Sequence, residues 1–159
     1  MSVCVVGHSN PDTDSVTSAI AFANFLKATG TDAKAYMQIS AEDLNPESKV
    51  VLEKFGLAAP EEITDAAGKD VALVDFSDVA QAPANIGDAN IVAIVDHHKI
   101  GDIVTNSPIF FYAKPVGCTG TVLLEMYKSN NIDLPKDIAG GMLCAILSDT
   151  VNFKSPTCT

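Results

Sequence analysis

The 159-residue sequence predicts an α/β fold: a doubly wound, mostly parallel β-sheet with helices on both faces. Two observations carry that prediction. Short Val/Ile-rich runs alternate with segments of helical periodicity, and the runs are apolar on both faces, as buried parallel strands are.

Taken in order, strands are expected at Val3 to Val6, Ala33 to Met37, Val71 to Val74 and Ile91 to Val95, with a further candidate at Ile103 to Thr105. Between the first two, Val16, Ala19, Ile20 and Ala23 keep helical spacing, and Phe22, Phe25 and Leu26 widen the apolar face before Thr29-Gly30 stops the helix. This reads as a well-buried crossover helix. Further helices are predicted over Pro46 to Phe55, Thr119 to Ser129 and Lys136 to Leu147. Ala58 to Asp70 and Gln81 to Asn90 read as surface connections. No repeat, low-complexity tract or linker divides the chain. A hydrophobic content of 47% over this length suits one domain or the larger part of one.

The formal net charge is −10, and all ten basic residues are lysine. Arginine supplies the bidentate fork that commonly grips phosphate or nucleic-acid backbone, and the sequence has none. With a pI near 4.5 the chain lacks the basic footprint of a nucleic-acid binder, so an anionic ligand would have to be drawn in largely by metal ions. Cys4, Cys118, Cys144 and Cys158 are far apart and form no C-x-x-C pair, which points to reduced, mostly buried thiols. The N-terminus lacks a basic region and cleavage site, and no apolar run approaches the ~18 residues of a membrane helix. A cytoplasmic protein without membrane attachment is expected.

Chemistry concentrates at the ends of the apolar elements. His8, Asp12 and Asp14 follow the first strand, Asp75 follows ALV, Asp96-His97-His98 follows IVAIV, and Asp149 follows AILS. In a parallel sheet the carboxyl ends of the strands form one edge, where α/β proteins gather their ligands. Singly, these residues have structural explanations: Asp14 sits where a helix N-cap belongs, Asn10-Pro11-Asp12 makes a good turn, and His8 suits a satisfied core position. Together they do not. Carboxylates meeting at ~4 Å repel by about 4 kcal/mol per pair at an effective dielectric near 20, and cations or raised pKa values must relieve that. Mixed imidazole and carboxylate donors suit Mn²⁺ or Co²⁺ better than calcium.

The spacing also suggests two ions. Asp12 and Asp14 flank Thr13, so their carboxylates diverge toward different ions, while a central Asp75 bridges them. Two divalent ions about 4 Å apart form a recurring clamp for displacement at phosphorus. The adjacent His97 and His98 point different ways if extended, one toward metal and the other toward substrate. In GCTGT, Gly117 to Thr121, the glycines offer a backbone nest for phosphate, but Thr119 as a helix N-cap accounts for the same residues and is preferred. Lys99 and Lys154 are candidate anion contacts.

GHSNPDTDS, Asp75 in LVD, Asp96-His97-His98, GCTGT and AILSDT with SPTCT together resemble the DHH phosphoesterase superfamily. Within it they look most like the N-terminal domain of the family II, manganese-dependent inorganic pyrophosphatases. The resemblance implies one ion on His8, Asp12 and Asp75 and a second on Asp14, Asp75, His97 and Asp149. It also implies His98 on the substrate phosphate and Asp96 orienting its neighbours. A water bridging two Mn²⁺ or Co²⁺ ions would attack pyrophosphate, delivered as a Mg²⁺ complex, to yield two orthophosphates.

Two departures from the family pattern stand out. Phe76-Ser77 occupy the places where many members have His-Asn, and no arginine is available to close over the leaving phosphate. The chain also stops at Ser155 to Thr159, just behind a motif, so residues 1–159 read as a metal-binding catalytic domain truncated at its C-terminal end, without the second, substrate-binding domain. The resemblance further implies a homodimer formed by sheet extension. Two alternatives are a related phosphoesterase acting on oligonucleotides or nucleoside phosphates, which would need a stacking aromatic from Phe76, Tyr112 or Phe153, and a non-catalytic metal-binding dimerisation domain.

Overall fold

The computed structural model describes residues 2–158. Its elements follow as β1 (Val3–Val6), α1 (Thr13–Ala28), β2 (Ala33–Met37), α2 (Pro46–Phe55), β3 (Glu61–Glu62), β4 (Asp70–Val74), β5 (Asn90–Asp96), β6 (Phe110–Ala113), α3 (Thr119–Ser129) and α4 (Lys136–Asp149). Among the described residues the six strands form one sheet of order β3-β2-β1-β4-β5-β6, and every pairing is parallel. The strand order reverses between β1 and β4. That is the crevice where a doubly wound sheet receives ligands.

The four predicted principal strands are present, and two short edge strands were not anticipated. β3 pairs only through Tyr36–Glu61 and Met37–Glu62, and β6 lies beside β5 from Ala93–Phe110 to Asp96–Ala113. Neither could be read from its own alternation. Ile103 to Thr105 is not a strand; the Ile103 N–H instead donates to the Ser77 carbonyl at 3.1 Å, tying the loop to the end of β4. β2 is less apolar than expected, with Lys34 exposed and ion-paired to Glu61 of β3.

The two faces of the sheet are covered unequally. Val3, Val5, Ala72, Val74, Ala93 and Val95 pack under α1, α3 and α4, with Tyr127 of α3 donating a buried hydrogen bond to the Ala21 carbonyl. The opposite face, with Cys4, Val6, Val71 and Leu73, is covered by Ile63, Ala66, Phe76 and Ile86. Where α-helices on both faces are expected, this second layer consists of loop and two 3₁₀ turns, 79–81 and 86–88. The connection from β4 to β5 carries Pro83, Asn85 at positive φ and Gly87, which oppose a longer helix.

β5 carries a bulge. Val71 pairs with Ile91 but Ala72 with Ala93, leaving Val92 as the extra residue. Because side chains alternate along a strand, this insertion puts Ala93 and Val95 on the helix side in phase with Ala72 and Val74. The bulge therefore sets the orientation in which the chain reaches Asp96 and the two histidines.

Local signals explain the helix limits. Asp12, not Asp14, caps α1, its side chain accepting from the Ser15 N–H at 2.9 Å. α2 begins with Asn45 as cap and Pro46 in its first turn, and ends at Gly56 with φ 66°. α4 runs two residues beyond Leu147, so Asp149 projects from its last turn rather than from a loop. Among the described residues no helix is long and apolar enough to cross a membrane, and the four cysteines are unpaired.

Candidate metal centre

The three strand ends and the C-terminus of α4 meet at one place. His8, Asp12, Asp75, His97, His98 and Asp149 line an open cavity of about 170 Å³ beside the switch point. A larger groove of about 350 Å³ between α1 and the β5–β6 edge is lined by apolar residues and Thr31, without a titratable side chain.

Asp75 is the hub. It leaves β4 with φ 69°, a left-handed conformation that costs a non-glycine residue free energy and persists only when its surroundings hold it. Its N–H donates to the Val95 carbonyl at 2.9 Å. Its carboxylate then faces two ways: Oδ2 lies 3.4 Å from His8 Nε2, and Oδ1 lies 3.3 Å from His97 Nε2. His8 Nε2 is also 3.7 Å from Asp12 Oδ1, and His97 Nε2 is 4.0 Å from Asp14 Oδ2.

Potential ligand atoms of three groups converge to within 4.8 Å: His8, Asp12 and Asp75; Asp75, His97 and His98; and Asp14, Cys118 and Asp149. Cys118 was not anticipated as part of the site. It lies in the GCTGT segment already singled out, but only the packing of α3 against α1 brings its thiol to Asp14.

The histidines are held in defined orientations. His97 Nδ1 lies 2.9 Å from the Val116 carbonyl, so Nδ1–H donates there and Nε2 is turned toward Asp75. Asp96 is buried; its Oδ1 accepts from the His97 N–H at 2.7 Å, the His98 N–H at 3.1 Å and His98 Nδ1 at 2.8 Å. The His98 side chain remains 49% exposed, with its ring centroid 4.1 Å from that of His97.

Asp14 is wholly enclosed. Its Oδ2 accepts from the Thr119 N–H at 2.6 Å, and its Oδ1 from the Gly120 N–H at 3.0 Å and the Ser18 hydroxyl at 2.9 Å. The first turn of α3 thus presents its free amides to a carboxylate of the chain itself. This corrects the reading of Thr119 as an N-cap. Cys118 occupies that position without a side-chain cap bond, while the Thr119 hydroxyl donates to Asp75 Oδ1 at 2.9 Å.

Electrostatics show what the donor set lacks. Burial, then the charges of Asp75 and Asp149, pushes the Asp14 carboxyl well above the ordinary range. Burial, followed by Asp12 and Asp75, raises Asp149 to about 6. Burial disfavours imidazolium at His8 and His97, but their neighbouring carboxylates prevail and lift them to about 10 and about 9. Burial also opposes charge on Asp75, yet those two histidines hold its carboxyl well below the usual range. The cluster draws in positive charge; without metal, it takes protons. The imidazole and carboxylate donors gathered here fit divalent transition ions.

Phe76 points away into the second-face core, and Ser77 is buried with its hydroxyl accepting from the Gly101 N–H at 2.9 Å. Tyr112 stacks on Phe110 in the edge strand. Of the three aromatic residues considered for base stacking, Phe153 is left as the exposed one, at a positive-φ turn beyond α4.

A parallel sheet bearing this histidine–aspartate edge at its switch point defines a class, and residues 2–146 match the DHH family, N-terminal domain. The chain belongs to that family. More particularly, it is 52% identical over 158 residues to a manganese-dependent inorganic pyrophosphatase of Methanothrix thermoacetophila, covering 99% of this chain and 50% of the relative. It is 56% identical over 167 residues to a probable manganese-dependent inorganic pyrophosphatase of Archaeoglobus fulgidus, covering 99% and 52%. The crystal structure of a putative family II inorganic pyrophosphatase from Methanococcus jannaschii superposes with a TM-score of 0.90 at 45% identity, covering 99% of this chain and 51% of that one. An exopolyphosphatase-related protein from Bacteroides fragilis shares the fold, with a TM-score of 0.66 at 15% identity, covering 99% and 48%. The chain spans about half the length of the curated relatives it matches.

Proposed function

We propose that this chain is the metal-holding part of a manganese-dependent inorganic pyrophosphatase, hydrolysing pyrophosphate to two orthophosphates. The observation that carries the reading is the Asp75 carboxylate, with one oxygen toward His8 and the other toward His97. The names of the relatives, at about half identity over nearly the whole chain, support the substrate.

His8, Asp12 and Asp75 would hold one ion and Asp14, Asp75, His97 and Asp149 the other, both Mn²⁺ or Co²⁺, with Mg²⁺ arriving on the substrate. When bound, such ions supply charge to phosphoryl oxygens and lower the pKa of water. The protein residues do the rest. Asp96 steadies both histidines through their backbone amides and the His98 ring. His98, half exposed at the cavity, would touch the substrate phosphate and exchange a proton there. The oligonucleotide alternative keeps only Phe153 as an exposed stacking aromatic, since Phe76 is in the core and Tyr112 stacks on Phe110 in the edge strand.

We place the protein in the cytoplasm as a homodimer extending the sheet at β6, where Phe110 is 50% exposed and Phe111 46%. Membrane and nucleic-acid partners have no part in this reading. Closure over the substrate would fall to a further, substrate-binding domain, and residues 1–159 by themselves should turn over slowly.

The test is ion count by calorimetry together with phosphate release from magnesium pyrophosphate, for the chain and for Asp75→Ala. Two Mn²⁺ per chain, reduced to none or one weak ion in the variant, is the expected result. Fewer than two ions in the parent chain would overturn the two-ion reading. Phosphate release that persists in Asp75→Ala would overturn the assignment of the site.

A further inference from the structure

Resting on the two-ion reading, we propose that Thr119 is a positioning residue for the metal centre, acting on the Asp75 oxygen that faces the Asp14 pocket. Its hydroxyl is buried and donates to Asp75 Oδ1 at 2.9 Å, while its own N–H donates to Asp14 Oδ2 at 2.6 Å. One residue at the start of α3 therefore grips two carboxylates that arrive from α1 and from the end of β4.

The contact is one-sided. Oδ1 is the oxygen near His97, and Oδ2, near His8, receives no bond from Thr119. A hydroxyl donated to Oδ1 takes one of its lone-pair directions and leaves the other for an ion on the His97 side. The hydroxyl is not spent on capping its own helix, and it is Asp75, held at φ 69°, that it reaches. A residue in a sparsely populated backbone conformation needs such outside contacts to keep its side chain in one orientation. Gly120 completes the clamp by giving Asp14 Oδ1 a second amide at 3.0 Å.

The role is to set the geometry of one pocket of the pair, and removing the hydroxyl should damage that pocket selectively. Partners that orient metal ligands in this way typically contribute about 10–100-fold in affinity. The experiment is a Mn²⁺ titration of the whole chain, followed by calorimetry and by the spin-coupling of the bound pair in electron paramagnetic resonance. Thr119→Val removes the hydroxyl but keeps the amide, Thr119→Ala does so without the added methyl, and Thr119→Ser retains the donor.

Two ions in the parent, one ion weakened about 10–100-fold in Thr119→Val or Thr119→Ala with the other within about threefold, and recovery in Thr119→Ser would support the inference. In an Asp12→Ala background, which disables the His8 pocket, the weakened ion should be the one that remains. Equal weakening of both ions, unchanged affinities, or Thr119→Ser as poor as Thr119→Ala would overturn it. Two ions in the parent with unchanged affinities in the variants would overturn this inference alone; fewer than two in the parent would remove the two-ion reading beneath it.

Discussion

The two pockets proposed to share Asp75 are built differently. On one side Asp12 is 53% exposed and gives part of its bonding to the cap of α1. On the other, Asp14 is sealed, held by two amides of α3 and a serine hydroxyl, and pressed against Cys118 and Asp149. A ligand enclosed in this way is oriented before any ion arrives, whereas an exposed one must be ordered on binding. The Asp14 pocket should therefore hold its ion more tightly, and the Asp12 pocket should exchange with solvent.

The strongest way to break that comparison is a matched pair of isosteric changes. Asp14→Asn takes away a charged ligand and turns an amide donor toward the Thr119 N–H or the Gly120 N–H. It should lower affinity for the inner ion at least about 100-fold and destabilise the fold by about 1–3 kcal/mol. Asp12→Asn keeps a competent cap, since Asn serves there as well as Asp, so stability should stay within about 0.5 kcal/mol while the outer ion weakens. Urea unfolding with chelator and Mn²⁺ titration report the two effects separately. Equal destabilisation by the two variants would mean that the enclosure of Asp14 is not structural.

Protons sharpen the comparison next. His8 at about 10 and His97 at about 9 are raised above their ordinary value of 6.5. Their contribution to the metal-free fold is fully present below 6.5 and is lost as pH rises through 9 to 10. Metal-free stability should therefore fall from pH 7 to pH 10. Mn²⁺ must displace those same protons, so affinity should increase as pH rises above 7, with proton release visible as a dependence of binding heat on the buffer. An affinity independent of pH between 7 and 8.5 would contradict protonated histidines in the metal-free site.

The smallest effect on the ions is expected at β6. A lysine on an exposed edge strand opposes pairing with another chain, so Phe111→Lys should shift sedimentation from dimer to monomer. Both affinities for Mn²⁺ should stay within about twofold, because β6 supplies no ligand. A dimer that survives the change would place the proposed interface elsewhere.

Much of this was legible along the chain because it is local. Val3 to Val6 and Ala33 to Met37 are strands as predicted, the α2 and α3 limits coincide with Pro46 to Phe55 and Thr119 to Ser129, and the histidines and aspartates mark strand ends. A buried run, a proline at a first turn and a glycine beyond a last one act within a few residues, so sequence alone carries them. The edge strands β3 and β6 escaped that reading. A two-residue strand and a four-residue strand are defined by the neighbour they pair with rather than by a periodicity of their own.

The sequence by itself determined the parallel α/β class, the main elements and the residues available for a metal centre, since periodicity and residue chemistry are properties of short stretches. Tertiary structure decided how those residues work together. It placed Asp14 against amides 105 and 106 positions away, turned Thr119 from an expected cap into a donor to Asp75, and brought Cys118 to the cluster. It also covered the second face with 3₁₀ turns and inserted Val92 as a bulge before the histidines. Those outcomes depend on contacts between segments remote in the chain, and such contacts exist only once the sheet has closed beneath its helices.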